Sequence, residues 1–94
     1  MKFKDLKFKK QGHGGIGATA KFKDVTVSIQ AGKFVYSMPR EDLSSASEFS
    51  SFEVAVWENS EAGAFVTDKF LDTNDSVAGW TGKDEIDNLL QKLK

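Results

Sequence analysis

The end of the chain carries the clearest pattern of apolar and polar positions. From residue 86 onward, apolar side chains recur at spacings of three, four and seven residues, which places them on one stripe of a helix: Ile86, Leu89, Leu90 and Leu93. Thr81 followed by Asp84 resembles a capping box, so a helix is predicted over Lys83–Leu93. A helix this short is marginal in water by itself. Its apolar stripe is therefore predicted to pack on the rest of the chain.

Most of the preceding chain alternates between apolar and polar residues, as half-buried β-strands do. The alternation predicts strands at residues 6–9, 16–23, 25–30, 33–38, 52–57 and 64–67. A tight turn at Lys23–Asp24 should join the second strand to the third, and the loop Asn59–Gly63 should join the fifth to the sixth. Pro39 should end the fourth strand, because proline cannot donate to a ladder. Residues 39–48 lack a pattern and are predicted to form a mobile excursion, and residues 72–80 are predicted to lead into the helix.

Strands in sequence followed by one helix predict an α+β fold. The loops are too short for parallel crossovers, so the sheet should be an antiparallel meander of about five or six strands, with the C-terminal helix packed on one face. Ninety-four residues are the size of one domain, and residues 1–94 are assigned to a single α+β domain.

The composition, with 39% hydrophobic and 29% charged residues, is typical of an ordinary soluble globular protein. The chain has no cysteine, which excludes a disulfide framework, a thiolate zinc site and a cysteine nucleophile. No apolar run approaches the length of a membrane span, and the N-terminal residues lack the apolar segment of a secretion signal. The expected location is therefore a reducing cytoplasm, with no membrane partner.

The net charge of −1 conceals an uneven distribution. Residues 1–40 hold nine Lys or Arg and two acids, whereas residues 41–94 hold four lysines and twelve acids, so the two parts carry +7 and −8. Either these opposite charges pair across neighbouring elements, or one side of the protein is basic and the other acidic. The second arrangement would steer a charged partner or favour head-to-tail self-association.

No arrangement of residues predicts catalysis, a metal site or a cofactor. Residues 12–17 have the glycine spacing of a dinucleotide-binding loop, but the chain alternates as a strand from Ile16 onward, whereas that loop must open a helix. His13 has no recognisable metal ligands or nucleophile beside it, and it is interpreted as an exposed turn residue or an interface contact. The loop acids lack the spacing of a calcium loop and are interpreted as solvated.

Aromatic residues supply the candidates for protein binding. Trp57 lies on the opposite strand face from Val54 and Val56, so its indole is either covered from that side or exposed as a binding hot spot. Trp80, just before the helix, is predicted to pack as a hydrophobic staple against Ile86 or the sheet. The candidate interface residues are Trp57, Tyr36, His13 and Arg40.

The lysine-rich N-terminal strands are the best indication of nucleic-acid binding, because bases stack on exposed aromatic rings beside lysines that contact phosphates. The candidate contacts are Lys7, Lys9, Lys21 and Lys23. The same alternation would turn the neighbouring phenylalanines into the core, and lysine on an edge strand also discourages edge-to-edge pairing. The isoelectric point near 5.8 favours this structural role for the lysines.

Five segments carry a resemblance to a known group of proteins: Phe52–Val56, Asp75–Thr81, the helix Lys83–Leu93, Leu6–Phe8 and Val27–Ile29. They are similar to segments of small tailed-phage proteins of unknown function. The chain differs from that group because it lacks Asn-Gly in the turn between the second and third strands, and because of its serine-rich loop. The resemblance implies a phage or prophage origin, and it implies no enzymatic activity and no catalytic residues.

The expected function is therefore that of a non-enzymatic phage accessory protein in the cytoplasm of an infected bacterium. It should bind a protein partner, such as a host enzyme or a defence component, and self-association through a sheet edge or the Trp57 face fits the same pattern. Two alternatives stay open, a nucleic-acid-binding module that uses the lysine-rich strands and a minor structural protein of the virion.

Overall fold

The computed structural model describes residues 1–12, 14–60 and 62–93. Within these ranges, five strands form one antiparallel sheet in chain order: β1 Lys9–Lys10, β2 Ile16–Lys21, β3 Val25–Ala31, β4 Ser51–Glu58 and β5 Ala78–Gly82. One α-helix, α1 at Lys83–Lys92, follows β5 directly. Short 3₁₀ turns lie at Phe3–Asp5, Ala46–Glu48 and Thr67–Lys69. The predicted α+β fold, an antiparallel meander with a C-terminal helix packed on one face, is confirmed.

The two faces of the sheet differ because successive side chains of a strand point to opposite sides. On one face, residues paired across β2 to β5 form a buried row: Ala18, Ile29, Val54 and Ala78. The helix covers this face with Ile86, Leu89 and Leu90, which are all buried and belong to the same core as the strands. The other face, called the open face below, carries more polar residues such as Thr19 and Ser28.

The helix begins at Lys83 as predicted, but its cap differs from the prediction. Gly82 is the N-cap residue, and its backbone N–H donates to Glu85 Oε1 at 3.2 Å. Thr81 is instead buried in β5, where its hydroxyl donates to the carbonyl of Ala78. The predicted Thr81–Asp84 capping box is therefore wrong by one residue, because β5 continues to Gly82 and turns the Thr81 side chain into the core.

The first strand is shorter and later than the predicted strand at residues 6–9, since β1 comprises only Lys9–Lys10. Before it, Phe3 and Phe8 pack on Phe52, and the three ring centroids lie 5.1 to 5.7 Å apart. The backbone N–H of Phe3 also donates to the carboxylate of Asp87 on α1. These contacts draw the first residues toward the helix, so the chain leaves the sheet edge instead of pairing along the whole of β2.

The predicted fourth strand, residues 33–38, does not form. Residues 32–50, called the crossing loop below, leave β3 and return to β4, and their backbone pairs with β4 at an isolated bridge between Met38 and Ser51. The alternating apolar residues here do not indicate a half-buried strand, because Phe34, Tyr36 and Met38 are all exposed on the surface.

The crossing loop is closed by contacts of its own. The Ser37 hydroxyl is buried, accepts from the N–H of Gly32 at 3.1 Å and donates to the carbonyl of Pro39 at 2.9 Å. The excursion predicted after Pro39 contains the 3₁₀ turn Ala46–Glu48 and leads into Phe49, which is buried in the core. Within residues 39–48, Leu43 and Ala46 pack against the same core, so a segment without an alternating pattern still contributes to packing.

The predicted sixth strand, residues 64–67, is reduced to one bridge between Phe65 and Trp57. The chain then enters the 3₁₀ turn at Thr67–Lys69. On the side away from β3, β4 pairs with β5, which lies in the segment predicted only as a connection ahead of the helix.

A threonine side chain explains why β4 does not need a longer partner here. The hydroxyl of Thr67 accepts from the backbone N–H of Val56 at 2.9 Å and donates to the carbonyl of Ser76 at 2.7 Å. Thr67 is fully buried. Its side chain thus supplies a hydrogen bond that the backbone of a returning strand would otherwise supply.

Candidate interaction site

A cluster of exposed aromatic rings lies on the open face, at the corner formed by β4, β5 and the crossing loop. Tyr36 from the loop and Trp80 from β5 pack together with ring centroids 5.2 Å apart and an interplanar angle of 35°. The guanidinium of Arg40 lies 5.5 Å from the centroid of the Tyr36 ring, within cation–π distance. Trp80 is 54% exposed and Tyr36 is 46% exposed. These three residues are called the Tyr36–Trp80 cluster below.

An irregularity in the pairing of β5 with β4 presents the indole. Between two regular pairs of the register, Gly79 and Trp80 lie opposite the single residue Glu53, which is the arrangement of a β-bulge. Trp80 has a φ of +50°, a left-handed conformation that is uncommon for a bulky side chain. The bulge therefore turns Trp80 out of the regular alternation and onto Tyr36.

Gly79 allows Tyr36 to approach the sheet closely. A side chain at position 79 would place its Cβ 2.8 Å from the Cβ of Tyr36, which is closer than real Cβ contacts come. The N–H of Tyr36 donates to the Glu53 carboxylate at 2.9 Å, and its carbonyl accepts from the N–H of Trp80 at 2.9 Å. Both backbone groups of Tyr36 are thus fixed by the sheet, while its ring stays at the surface.

The cluster offers a partner both apolar area and hydrogen-bonding atoms. Tyrosine and tryptophan rings cover a large contact area with few rotatable bonds, and each has one polar group at its rim. Two further apolar residues of the crossing loop, Phe34 and Met38, are also exposed. Tryptophan, tyrosine and arginine are the residue types found most often at the energetic centre of protein interfaces.

The structure brings together two of the predicted interface residues, Tyr36 and Arg40. Trp57 lies elsewhere on the open face, half-buried, and meets Phe65 edge to face with centroids 6.2 Å apart. These two rings are called the Trp57–Phe65 pair below. His13, the fourth predicted interface residue, lies outside the described residues.

The four lysines predicted to contact nucleic acid lie on the β1–β2 side of the sheet. Lys7 precedes β1, Lys9 and Lys21 are exposed on strands, and Lys23 is exposed in the turn before β3. Lys21 and Trp57 line the same shallow depression, about 490 Å³ in volume. Two strands, β3 and β4, separate this side from β5. Lys21 therefore flanks Trp57, whereas Lys9 pairs with Gly17 at the other end of β2.

Sequence reasoning missed Trp80 as a surface residue. Its predicted role as a hydrophobic staple is wrong, because the indole is exposed and packs on Tyr36 instead of Ile86. A usable signal was present in Gly79, since glycine inside a strand often marks a bulge or a close backbone approach. That signal can be used only when residues 78–80 are recognised as part of a strand.

Within the described residues, no group of three or more His, Asp or Glu side chains could hold a metal ion, and no helix is long and apolar enough to cross a membrane. When the chain is compared with models of protein families, with curated proteins and with solved structures, none of them matches. The resemblance to tailed-phage proteins therefore stays a prediction.

Proposed function

We propose that this protein is a non-enzymatic binding protein that holds a protein partner on the open face of its sheet, with the Tyr36–Trp80 cluster at the centre of the contact. The observation that carries the proposal is the state of Trp80, which combines a φ of +50° with an indole that is more than half exposed. A strained backbone residue of this kind costs about 1–3 kcal/mol. The fold recovers little of that cost by burying Trp80, so contact with another molecule is the better explanation.

The remainder of the open face supports a contact of ordinary interface size. Trp57 is four residues from Glu53 along β4, which separates the Trp57–Phe65 pair from the Tyr36–Trp80 cluster by about 13 Å. A stable protein interface covers about 800 Å² on each partner. One partner could therefore reach both pairs of rings, with the polar residues of β2 and β3 at its margin.

The resemblance to small tailed-phage proteins supports a partner in the infected bacterial cell, such as a host enzyme or a component of host defence. Self-association through the same face and a minor structural role in the virion are the alternatives within this proposal. In the first alternative a second copy of the chain would contact the Tyr36–Trp80 cluster, and in the second a protein of the phage particle would contact it.

Nucleic-acid binding is a second candidate, because Lys21 and Trp57 line one depression and bases stack on aromatic rings beside lysines. The protein partner is favoured because the more exposed aromatic cluster lies on the other side of the sheet from the lysines. Phosphate contacts weaken steeply as salt is added. A titration at low ionic strength that finds no affinity for single-stranded or duplex DNA would eliminate the nucleic-acid candidate.

The test of the proposed function compares three forms of the protein as immobilised bait in lysate from phage-infected bacteria. Wild type should retain a defined partner. A variant carrying Tyr36→Ala and Trp80→Ala should lose it, because the central rings are gone. Phe65→Ala is the comparison variant: it also removes an exposed ring, 55% accessible, but away from the proposed centre of the contact, so it should weaken retention less than the double variant does.

Far-UV circular dichroism must first show that all three forms are folded. Retention of the same proteins by wild type and by the double variant would contradict the proposal. Equal loss from Phe65→Ala would move the centre of the contact to the Trp57–Phe65 pair.

A further inference from the structure

The outer edge of β2 is only partly paired. β1 reaches β2 at two residues, Ile16 and Gly17, and the ladder stops there. Residues 18–21 continue beside β3, but no strand of the described residues pairs with their other side. Thr19 and Lys21 are exposed in this stretch. The sheet therefore keeps a short free edge on its basic side.

The backbone groups of Thr19 and Lys21 point outward along this edge. In the predicted turn between β2 and β3, the N–H of Phe22 donates to the carbonyl of Val25 at 2.8 Å. Hydrogen-bonded and non-bonded pairs alternate along antiparallel strands. Counting back from Phe22, every second residue of β2 bonds to β3, so Thr19 and Lys21 direct both N–H and C=O away from it.

A groove of about 500 Å³ lies beside the first part of the free edge, at Ala18 and Thr19. Lys7 and Lys9 line one part of it and Thr19 lines another. The N-terminal segment forms one wall of the groove, where Asp5 is the acidic residue among its lining side chains. This segment does not pair with the free edge, because Phe3 is bound to Asp87 on the helix and its ring is packed on the core. Backbone groups that could extend the sheet thus remain accessible beside several positive charges.

We propose that this edge binds an extended acidic segment of a partner protein as an additional β-strand. Main-chain hydrogen bonds to Thr19 and Lys21 would hold the segment, as in other cases of strand addition. Acidic residues at alternate positions would face Lys21 and Lys9, since opposite charges across strands stabilise pairing. The residues between them would lie on the side of the buried Ala20 and should be apolar.

The charges argue against the other occupants of this edge. Pairing of two β2 strands from two copies would bring the lysines of both copies together, and lysines on an edge discourage such pairing. Nucleic acid would contact the lysines but would not form a ladder with the outward N–H and C=O groups. The proposal does not rest on the Tyr36–Trp80 cluster, which lies on the other side of the sheet.

The test uses the full chain and a capped peptide of alternating Glu and Val. A peptide of alternating Lys and Val and a single-stranded DNA oligonucleotide serve as comparison probes. Amide hydrogen exchange measured by NMR should slow about tenfold or more at Thr19 and Lys21 when the Glu–Val peptide is saturating. The Lys–Val peptide should leave both amides unchanged.

Two kinds of variant separate the contribution of main-chain hydrogen bonds to peptide binding from the contribution of the charges. Thr19→Pro removes one edge N–H and should abolish the protection, whereas Thr19→Val keeps the N–H and should preserve it. Lys21→Glu should weaken binding of the Glu–Val peptide by about fivefold or more, because an attraction becomes a repulsion. Because Lys21 is exposed, Lys21→Glu should leave the fold intact, so it still tests the proposal if the proline variant does not fold.

The proposal is overturned if the two amides gain no protection, or if both peptides protect them equally. Tighter binding of the oligonucleotide without amide protection would assign the lysines to nucleic acid. Protection in the free protein that rises with concentration would assign the edge to a second copy. The variant lacking the Tyr36 and Trp80 rings should bind the peptide like wild type, so failure of this proposal and of the proposed function are distinguishable.

Discussion

Thr67 contributes to the sheet through a side chain. Its buried hydroxyl joins the N–H of Val56 to the carbonyl of Ser76, and both groups would lose this partner without it. A buried polar group without a partner costs about 1–3 kcal/mol. Such a role depends on which segments meet in the folded protein, so it was not predictable from residues 64–67 alone, where the alternation indicated a strand.

Thr67→Val should lower the free energy of unfolding by about 1–3 kcal/mol, because valine keeps the volume but removes the hydroxyl. Thr67→Ser, which keeps the hydroxyl and loses only a methyl group, should cost less. Urea denaturation followed by circular dichroism measures both. A valine variant as stable as the serine variant would show that the hydroxyl does not matter.

At Trp80, the glycine variant should be more stable than the alanine variant, which is the reverse of the usual order. In the left-handed conformation glycine has no Cβ penalty, so Trp80→Gly should be more stable than Trp80→Ala by about 1 kcal/mol. Thr19 on the free edge of β2 is the matched control: there the alanine variant should be more stable than the glycine variant by about 0.5–1 kcal/mol. Thermal denaturation of the four variants checks the prediction, and the same order at both positions would contradict it.

The elements were predictable where a pattern is enforced by burial. α1 and the central strands β2, β3 and β4 bury one regular face each, and their apolar positions therefore repeat with the helix or strand period. The predicted strand at residues 33–38 of the crossing loop was wrong because the alternating apolar residues there include exposed rings. β5 was missed because a bulge at Gly79 and Trp80 interrupts its alternation.

The helix should hold the core through its buried leucines. Leu90→Ala should lower the free energy of unfolding by about 2–5 kcal/mol, because Leu90 is fully buried beneath the sheet and its removal leaves a cavity. Gln91→Ala is the neighbouring control on the exposed side of α1 and should change stability by less than about 0.5 kcal/mol. Equal effects in urea denaturation would mean that α1 is not docked as described.

At the scale of the whole molecule, the order of the strands determines where the charged residues lie. The sheet follows chain order, so the basic residues 1–40 build β1 to β3 and the acidic residues 41–94 build β4, β5 and α1. The lysines of β1 and β2 therefore lie together on one side of the sheet, beside the free edge of β2, whereas the N-terminal turn Phe3–Asp5 packs against α1. The alternative of one basic and one acidic side stays a prediction.

Sheet and helix should unfold together, because their buried residues belong to one core. Calorimetry should therefore give equal calorimetric and van't Hoff enthalpies. At about 0.7 kcal/mol per residue near 60 °C, the expected enthalpy is about 65 kcal/mol. A van't Hoff value well below the calorimetric one would show that a part of the structure, such as the N-terminal segment, unfolds separately.

The positions of the two tryptophans have a practical consequence. Trp80 is exposed and Trp57 is half-buried, and both indoles lie on the open face rather than in the core. Intrinsic fluorescence will therefore respond to the surroundings of that face, and a molecule that covers it should shift the emission to shorter wavelengths. The chain thus carries an optical reporter of occupancy that needs no added label.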